Sequence, residues 1–335
     1  MMGLFNKQKL ENNTSRKNGI DLFRLIGAFF IMCIHTSYGS LNQEYVDTLR
    51  LISRWAVPFY FIATGFFLGP KFENNTLDFK RIEKNVSMLI SILIVSSIIY
   101  LPIAYRNGDS INSIVNILAG TYFHLWFIGA LLIGYIFIWY LFYIKKSKTL
   151  PYISVFILLL ALFTDSYDQL FNFNLDFSLL SLLLSIPFMH IGIILSKKET
   201  NLISNKLLIG LVLLGFVIQF IEAELFLKLF DYNKYTHQLL IGTIITALPL
   251  FILSSKINLK ENRFSKWGKK HSLIIYLYHP IIYEIIRVVL NKVAPNYYDD
   301  ITMFYPIIGF ALALTIAIML DRFFPKIFAI LNGNI

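Results

Sequence analysis

Arg24 and His35 stand eleven residues apart inside one apolar run, Ile20-Asp-Leu-Phe-Arg24-Leu-Ile-Gly-Ala-Phe-Phe-Ile-Met-Cys-Ile-His35. At about 100° per residue that spacing is roughly 1100°, three turns plus about 20°. On a helix both side chains therefore leave one face, about 16 Å apart along the axis. A guanidinium suits phosphate or a polarised carbonyl. An imidazole takes and returns a proton near neutral pH. Stacked on one face, the pair could line a polar track through a bilayer. An ionisable group at mid-span costs roughly 2.5–3.5 kcal/mol and tends to face a cavity. The plainer alternative is that Arg24 snorkels to the headgroups and His35 hydrogen-bonds to a neighbour.

The elements that must hold these residues are membrane spans. Hydrophobic residues make up 56% of the 335 and charged residues 15%, against about 25% charged in ordinary soluble domains. A soluble fold could not hide that much apolar surface, so lipid must solvate part of it. Runs of near-span length occur near 20–38, 51–69, 86–104, 123–144, 150–164, 178–195, 207–221, 238–254, 271–288 and 302–321. The expected fold is all-α, a polytopic membrane helix bundle of about ten transmembrane helices. The expected organisation is a cytoplasmic tail over 1–19, a transmembrane domain over 20–321 and a cytoplasmic tail over 322–335. The first run lacks a small-x-small cleavage site and reads as an uncleaved span.

Basic residues cluster in alternate loops: Lys80, Arg81 and Lys84, then Lys145, Lys146 and Lys148, then the group from Lys256 to Lys270. That alternation sets the basic side in the cytoplasm, with both termini there. The net charge of +10 thus reflects topology and gives no reason to expect a nucleic-acid partner. Cys33 is the single cysteine, which excludes an internal disulfide and a Cys-based metal site. No phosphate loop, nucleophile elbow or His-Glu-x-x-His pair occurs. No histidine has Asp four or five positions after it.

Other residues admit both a functional and a plainer reading. Arg54, at the outer entrance of the second span, binds substrate or anchors the interface. His124 and Trp126 belong to a site or to an aromatic belt. Arg81 and Lys84 meet donor phosphates or follow the positive-inside bias. His279 precedes Pro280, whose missing N–H frees a carbonyl and kinks the span. Gly65 and Gly69 read as a close helix contact. Glu222 and Glu224 read as solvated at an outer helix end, and His190, His237 and His271 have no evident partner.

Four segments, taken in order, resemble motifs of the acyltransferase-3 family of multi-span membrane acyltransferases. Arg24 and His35 match its Arg-x10-His signature. Arg54-Trp-Ala-Val-Pro-Phe-Tyr-Phe-Ile-Ala-Thr-Gly-Phe-Phe-Leu68 is similar to its second-span pattern. His124-Leu-Trp-Phe-Ile-Gly-Ala-Leu is similar to its His-x-Trp-Phe block. Ser272-Leu-Ile-Ile-Tyr-Leu-Tyr-His279-Pro280 is similar to its late Ser-Leu-x-x-Tyr-x-x-His-Pro block. Thr64 replaces a common Ser, Arg81-Ile-Glu-Lys84 an Arg-x-x-Arg pair, and no Glu follows Trp126. The last absence puts the chain nearer the branch containing the membrane domains of membrane-bound serine racemases, which are associated with serine uptake.

The resemblance implies transfer of an acyl group, acetyl first, from cytoplasmic acyl-CoA to a hydroxyl of a cell-surface glycan or small acceptor. Acyl-CoA is then a co-substrate, with no resident cofactor or metal. It implies His35 and Arg24 as catalytic, and Arg54, His124, Trp126, Tyr276 and His279 around the acceptor. Arg81 and Lys84 would contact donor phosphate. The competing class is a transporter for serine or a glycan precursor, using the same polar face without covalent chemistry.

Overall fold

The computed structural model describes residues 17–35, 43–73, 79–107, 114–171, 177–198, 202–231, 237–293 and 301–334, and every regular element among them is helical. Among the described residues, nine helical segments are long and apolar enough to cross a membrane. They coincide with nine of the ten expected runs. The tenth, over 238–254, is the helix Ile241–Lys256, apolar but only 16 residues long.

The first helices are α1 (Asn18–His35), α2 (Gln43–Ser53), α3 (Ala56–Glu73), α4 (Phe79–Asn107), α5 (Ile114–Ala119) and α6 (Trp126–Tyr143). After them come α7 (Leu150–Thr164), α8 (Asp168–Phe171), α9 (Phe177–Leu183), α10 (Ser185–Lys197) and α11 (Asn205–Phe230). The chain closes with α12 (Ile241–Lys256), α13 (Arg263–Val293), α14 (Tyr305–Phe323) and α15 (Pro325–Leu331).

The centre is α10 packed on α3, with α1 held between α3, α12 and α13. Small residues permit these approaches. A Cβ on Gly65 would strike the carbonyl of Met189, and one on Gly192 would strike that of Ile62, so α3 and α10 cross backbone to backbone. This is the close contact expected at Gly65. Likewise a Cβ on Gly268 would strike the Asp21 carbonyl, which lets α13 lie against the start of α1. Outer helices show the opposite character. On α11, Leu213, Val217, Ile221 and Leu229 are half or more exposed, as a lipid-facing surface requires.

Two features differ from the sequence expectation. The second span begins earlier, because α2 precedes α3 in one 30-residue apolar segment, Gln43–Phe72. Arg54 and Trp55 form a turn between the halves. Pro58, in the first turn of α3, has no N–H to continue the ladder back into α2. Arg54 therefore sits in a break inside the span instead of at its entrance. Second, Glu222 is not solvated. It is buried, and its carboxylate accepts the N–H groups of Ile241 at 2.9 Å and Gly242 at 2.8 Å and the hydroxyl of Tyr167 at 2.5 Å. A carboxylate from α11 thus satisfies the free donors at the start of the short helix α12.

Candidate functional site

Arg24 projects from α1 into a cavity of about 320 Å³ bounded by α1, α3, α4, α6 and α13. Its Nη1 lies 3.3 Å from Oδ1 of Asp21, one turn earlier, and Asp21 is buried. That contact fixes the guanidinium in place of free snorkelling. Other polar groups on the wall are Thr64, Lys71, Asn85, Tyr135, Ser272 and the phenols Tyr60 and Tyr276, and the rest is apolar, including Leu68, Ile92 and Leu131. Asn85 Nδ2 donates to the Tyr135 hydroxyl at 2.7 Å. One cationic wall on a mostly apolar hollow suits a ligand with an anionic or carbonyl head and an apolar stem.

His35 does not line that cavity. On the α1 face between the two residues, Ala28 and Ile31 are buried. Tyr60, Phe127 and Tyr276 close the cavity on that side. The Tyr60 hydroxyl donates to the Arg24 carbonyl, and the Phe127 and Tyr276 rings pack at 5.0 Å. The continuous polar track anticipated from helix pitch is therefore interrupted by an aromatic wall.

Beyond the wall lies a patch of three imidazoles from separate parts of the chain. His35 stacks on His279 with centroids 5.4 Å apart, and His124 meets His279 edge-on, also at 5.4 Å. Phe123 flanks His35 at 5.0 Å. His124 and His279 are fully buried.

The kink at Pro280 organises the patch. Pro280 cannot donate to the Tyr276 carbonyl, four residues back, and His279 Nδ1 lies 2.7 Å from that oxygen. The next carbonyl, Leu277, takes His124 Nε2 at 2.9 Å and the Tyr100 hydroxyl at 2.8 Å. The Tyr276 hydroxyl donates to the His124 carbonyl. Tyr276 therefore serves both sides, lining the cavity and tethering the histidines.

The other anticipated residues are dispersed. Arg54 is within electrostatic reach of His35, Arg50 and Asp165. Trp126 packs on Phe61 at 6.3 Å and borders neither cavity nor patch. Lys84 is exposed near the start of α4 and does not line the cavity. The side chain of Arg81 falls outside the described residues. Three histidines without evident partners acquire them or their neighbours. His190 pairs with Ser154 at 2.9 Å, His271 with Asp321 at 3.2 Å, and His237 packs on Phe226.

Next to Arg54, Asp165 follows α7 and accepts the N–H groups of Gln238 at 2.7 Å and Leu239 at 2.6 Å. Burial lifts its carboxyl to about 6, against the opposing pull of the Leu239 N–H and Arg54. Burial lowers the His237 imidazole to about 4, and Arg54 adds to that effect.

Sequence reasoning passed over Asp21, Tyr60 and Tyr100. Asp21 was legible, as an acid one turn before an arginine. Tyr60 and Tyr100 act on carbonyls of distant helices, which no local pattern announces.

The family model of the acyltransferase-3 proteins, described as an acyltransferase domain, matches residues 17–321. The chain belongs to the acyltransferase-3 family. Among curated proteins, this acyltransferase-3 chain is 26% identical to an amino-acid racemase of Enterococcus faecalis over 301 residues, covering 81% of the chain and 42% of that protein. A further amino-acid racemase match from Enterococcus faecalis is 32% identical over 160 residues, 45% of this chain and 22% of the other. A serine/alanine racemase of Enterococcus gallinarum is 24% identical over 164 residues, 45% of this chain and 23% of the other. The chain spans less than half the length of these relatives. No solved structure matches.

Proposed function

We propose that this protein is a membrane O-acyltransferase that moves an acyl group, acetyl first, from cytoplasmic acyl-CoA to a hydroxyl of a surface glycan or small acceptor. The observation that supports it is the division of labour along α1. Arg24 faces a cavity with room for a thioester-bearing stem, and His35 faces a separate imidazole patch further along the same helix face. In this reading both termini are cytoplasmic in the cell membrane, and the Arg24 cavity opens to that side. Arg24 holds the donor's carbonyl or phosphate, with Arg81 and Lys84 meeting outer phosphates. His35 takes the proton of the acceptor hydroxyl as its oxygen bonds to the acyl carbon. The carbon–sulfur bond breaks, and the proton held on His35 is returned to the coenzyme A thiolate, which regenerates the neutral imidazole. Arg54, His124, Tyr276 and His279 shape the acceptor side. The aromatic wall lies where the acyl group must pass, so Tyr60 or Tyr276 must move during turnover.

A second reading takes its ligand, serine, from the name of one relative, a serine/alanine racemase. It is a transporter for serine or a glycan precursor along the same side chains, without covalent chemistry. Purified protein incubated with radiolabelled acetyl-CoA and a broad acceptor panel separates the two. Acceptor-dependent release of free coenzyme A supports the enzyme. Folded protein that releases none while moving serine across vesicles supports the transporter.

A further inference from the structure

The hydrogen bonds at the Pro280 kink fix more than ring positions. A carbonyl can only accept, so His279 carries its hydrogen on Nδ1, facing the Tyr276 oxygen. His124 carries its hydrogen on Nε2, facing the Leu277 oxygen. In the neutral rings the remaining nitrogens, His279 Nε2 and His124 Nδ1, carry lone pairs. Both atoms are buried, and neither has a hydrogen-bond partner among the described residues.

Three phenols packed around these rings cannot supply one. Each has a single proton, and each proton is spent on a carbonyl: Tyr276 on His124, Tyr100 on Leu277 and Tyr283 on Met32 at 3.0 Å. His35 cannot supply one to His279 either. Its ring lies 24° from parallel, and a stacked ring cannot aim an in-plane N–H at its neighbour's in-plane lone pair. Unsatisfied buried acceptors each cost about 1–3 kcal/mol, and protein interiors rarely retain them without a use.

We infer that His279 Nε2 is a recognition point for the acceptor. It receives a hydrogen bond from a second donor next to the hydroxyl that His35 deprotonates. The acceptor is then a compound carrying two adjacent donors, as in a 1,2-diol or a 2-amino alcohol. This inference rests on the acyltransferase reading for the role of His35, but the binding it describes needs no acyl donor.

Calorimetry on the detergent-purified full chain without acyl-CoA therefore tests it separately. The probes are two pairs differing by one donor: L-serine against 3-hydroxypropanoate, and methyl glucoside against its 3-deoxy analogue. In at least one pair the two-donor probe binds about tenfold to a hundredfold tighter. His279→Leu, which keeps an apolar body but no lone pair, binds both members of that pair equally. His279→Gln, which returns an acceptor near the Nε2 position but cannot serve as a base, recovers part of the preference and shows that the site still folds. Equal binding of both members in the wild type overturns the inference, as does no binding of any probe, a preference that survives in His279→Leu, or no recovery in His279→Gln. Absence of coenzyme A release alongside an intact preference would instead sink the transferase reading alone.

Discussion

His35 lies face to face with His279, ring centroids 5.4 Å apart and planes 24° from parallel. The first ends α1 and the second sits mid-way along α13, where a proline interrupts the helix ladder. The stack exists because His279 is turned by a carbonyl that Pro280 leaves free.

Pro280→Ala tests that cause. It restores an N–H that competes with His279 Nδ1 for the Tyr276 carbonyl, and it removes a residue that costs about 3 kcal/mol in a helix interior. The variant should melt at a higher temperature than the wild type and yet transfer acyl groups at least about tenfold more slowly. A variant both more stable and fully active would separate the kink from the site.

At the cavity end, Arg24→Lys keeps a charge but loses the planar fork, and Asp21→Asn removes the partner that orients the guanidinium. Both should raise the donor KM several-fold with a smaller change in kcat, because both act on how the donor is held. The check is steady-state kinetics over an acetyl-CoA series on protein of wild-type melting temperature. An unchanged donor KM in both would remove Arg24 from donor binding.

The cluster at Arg54 carries two opposed pH effects. Folded Asp165 titrates near 6 against an ordinary 3.8, so between these values only the native state holds its proton, and stability falls as pH rises. Folded His237 titrates near 4 against 6.5, so there the unfolded chain binds more protons and stability rises with pH. At about 1.4 kcal/mol per unit, each effect is on the order of 3 kcal/mol and they offset. Between pH 4 and 6.5, thermal melts should show Asp165→Asn gaining stability with pH relative to the wild type, and His237→Gln losing it. Parallel curves for all three would contradict the assignment.

How much of this was legible depends on the distance between cause and residue. The spans follow from run length against bilayer thickness, and all ten apolar runs reappear as helices. The Gly65 contact was readable because a small residue in a span already states that something comes close. Helix pitch gives the face of Arg24 and His35 but not what packs against it, so the wall of Tyr60, Phe127 and Tyr276 was invisible. Glu222 shows the same limit. Its sequence neighbourhood says helix end, while its partners are main-chain donors of the next helix. The histidine patch was assembled by motif resemblance. Its tautomers depend on carbonyls of Tyr276 and Leu277, which carry no sequence signature.

The most direct test of the account is His35→Ala, assayed for transfer of labelled acetyl from acetyl-CoA to an acceptor the wild type uses. Leu213→Ala, on the exposed face of α11, serves as the control. If His35 is the base, transfer falls by about 10²–10⁴-fold in protein with a wild-type melting temperature, and the control retains full activity. Transfer at the wild-type rate by well-folded His35→Ala would contradict the assignment of chemistry to the imidazole patch.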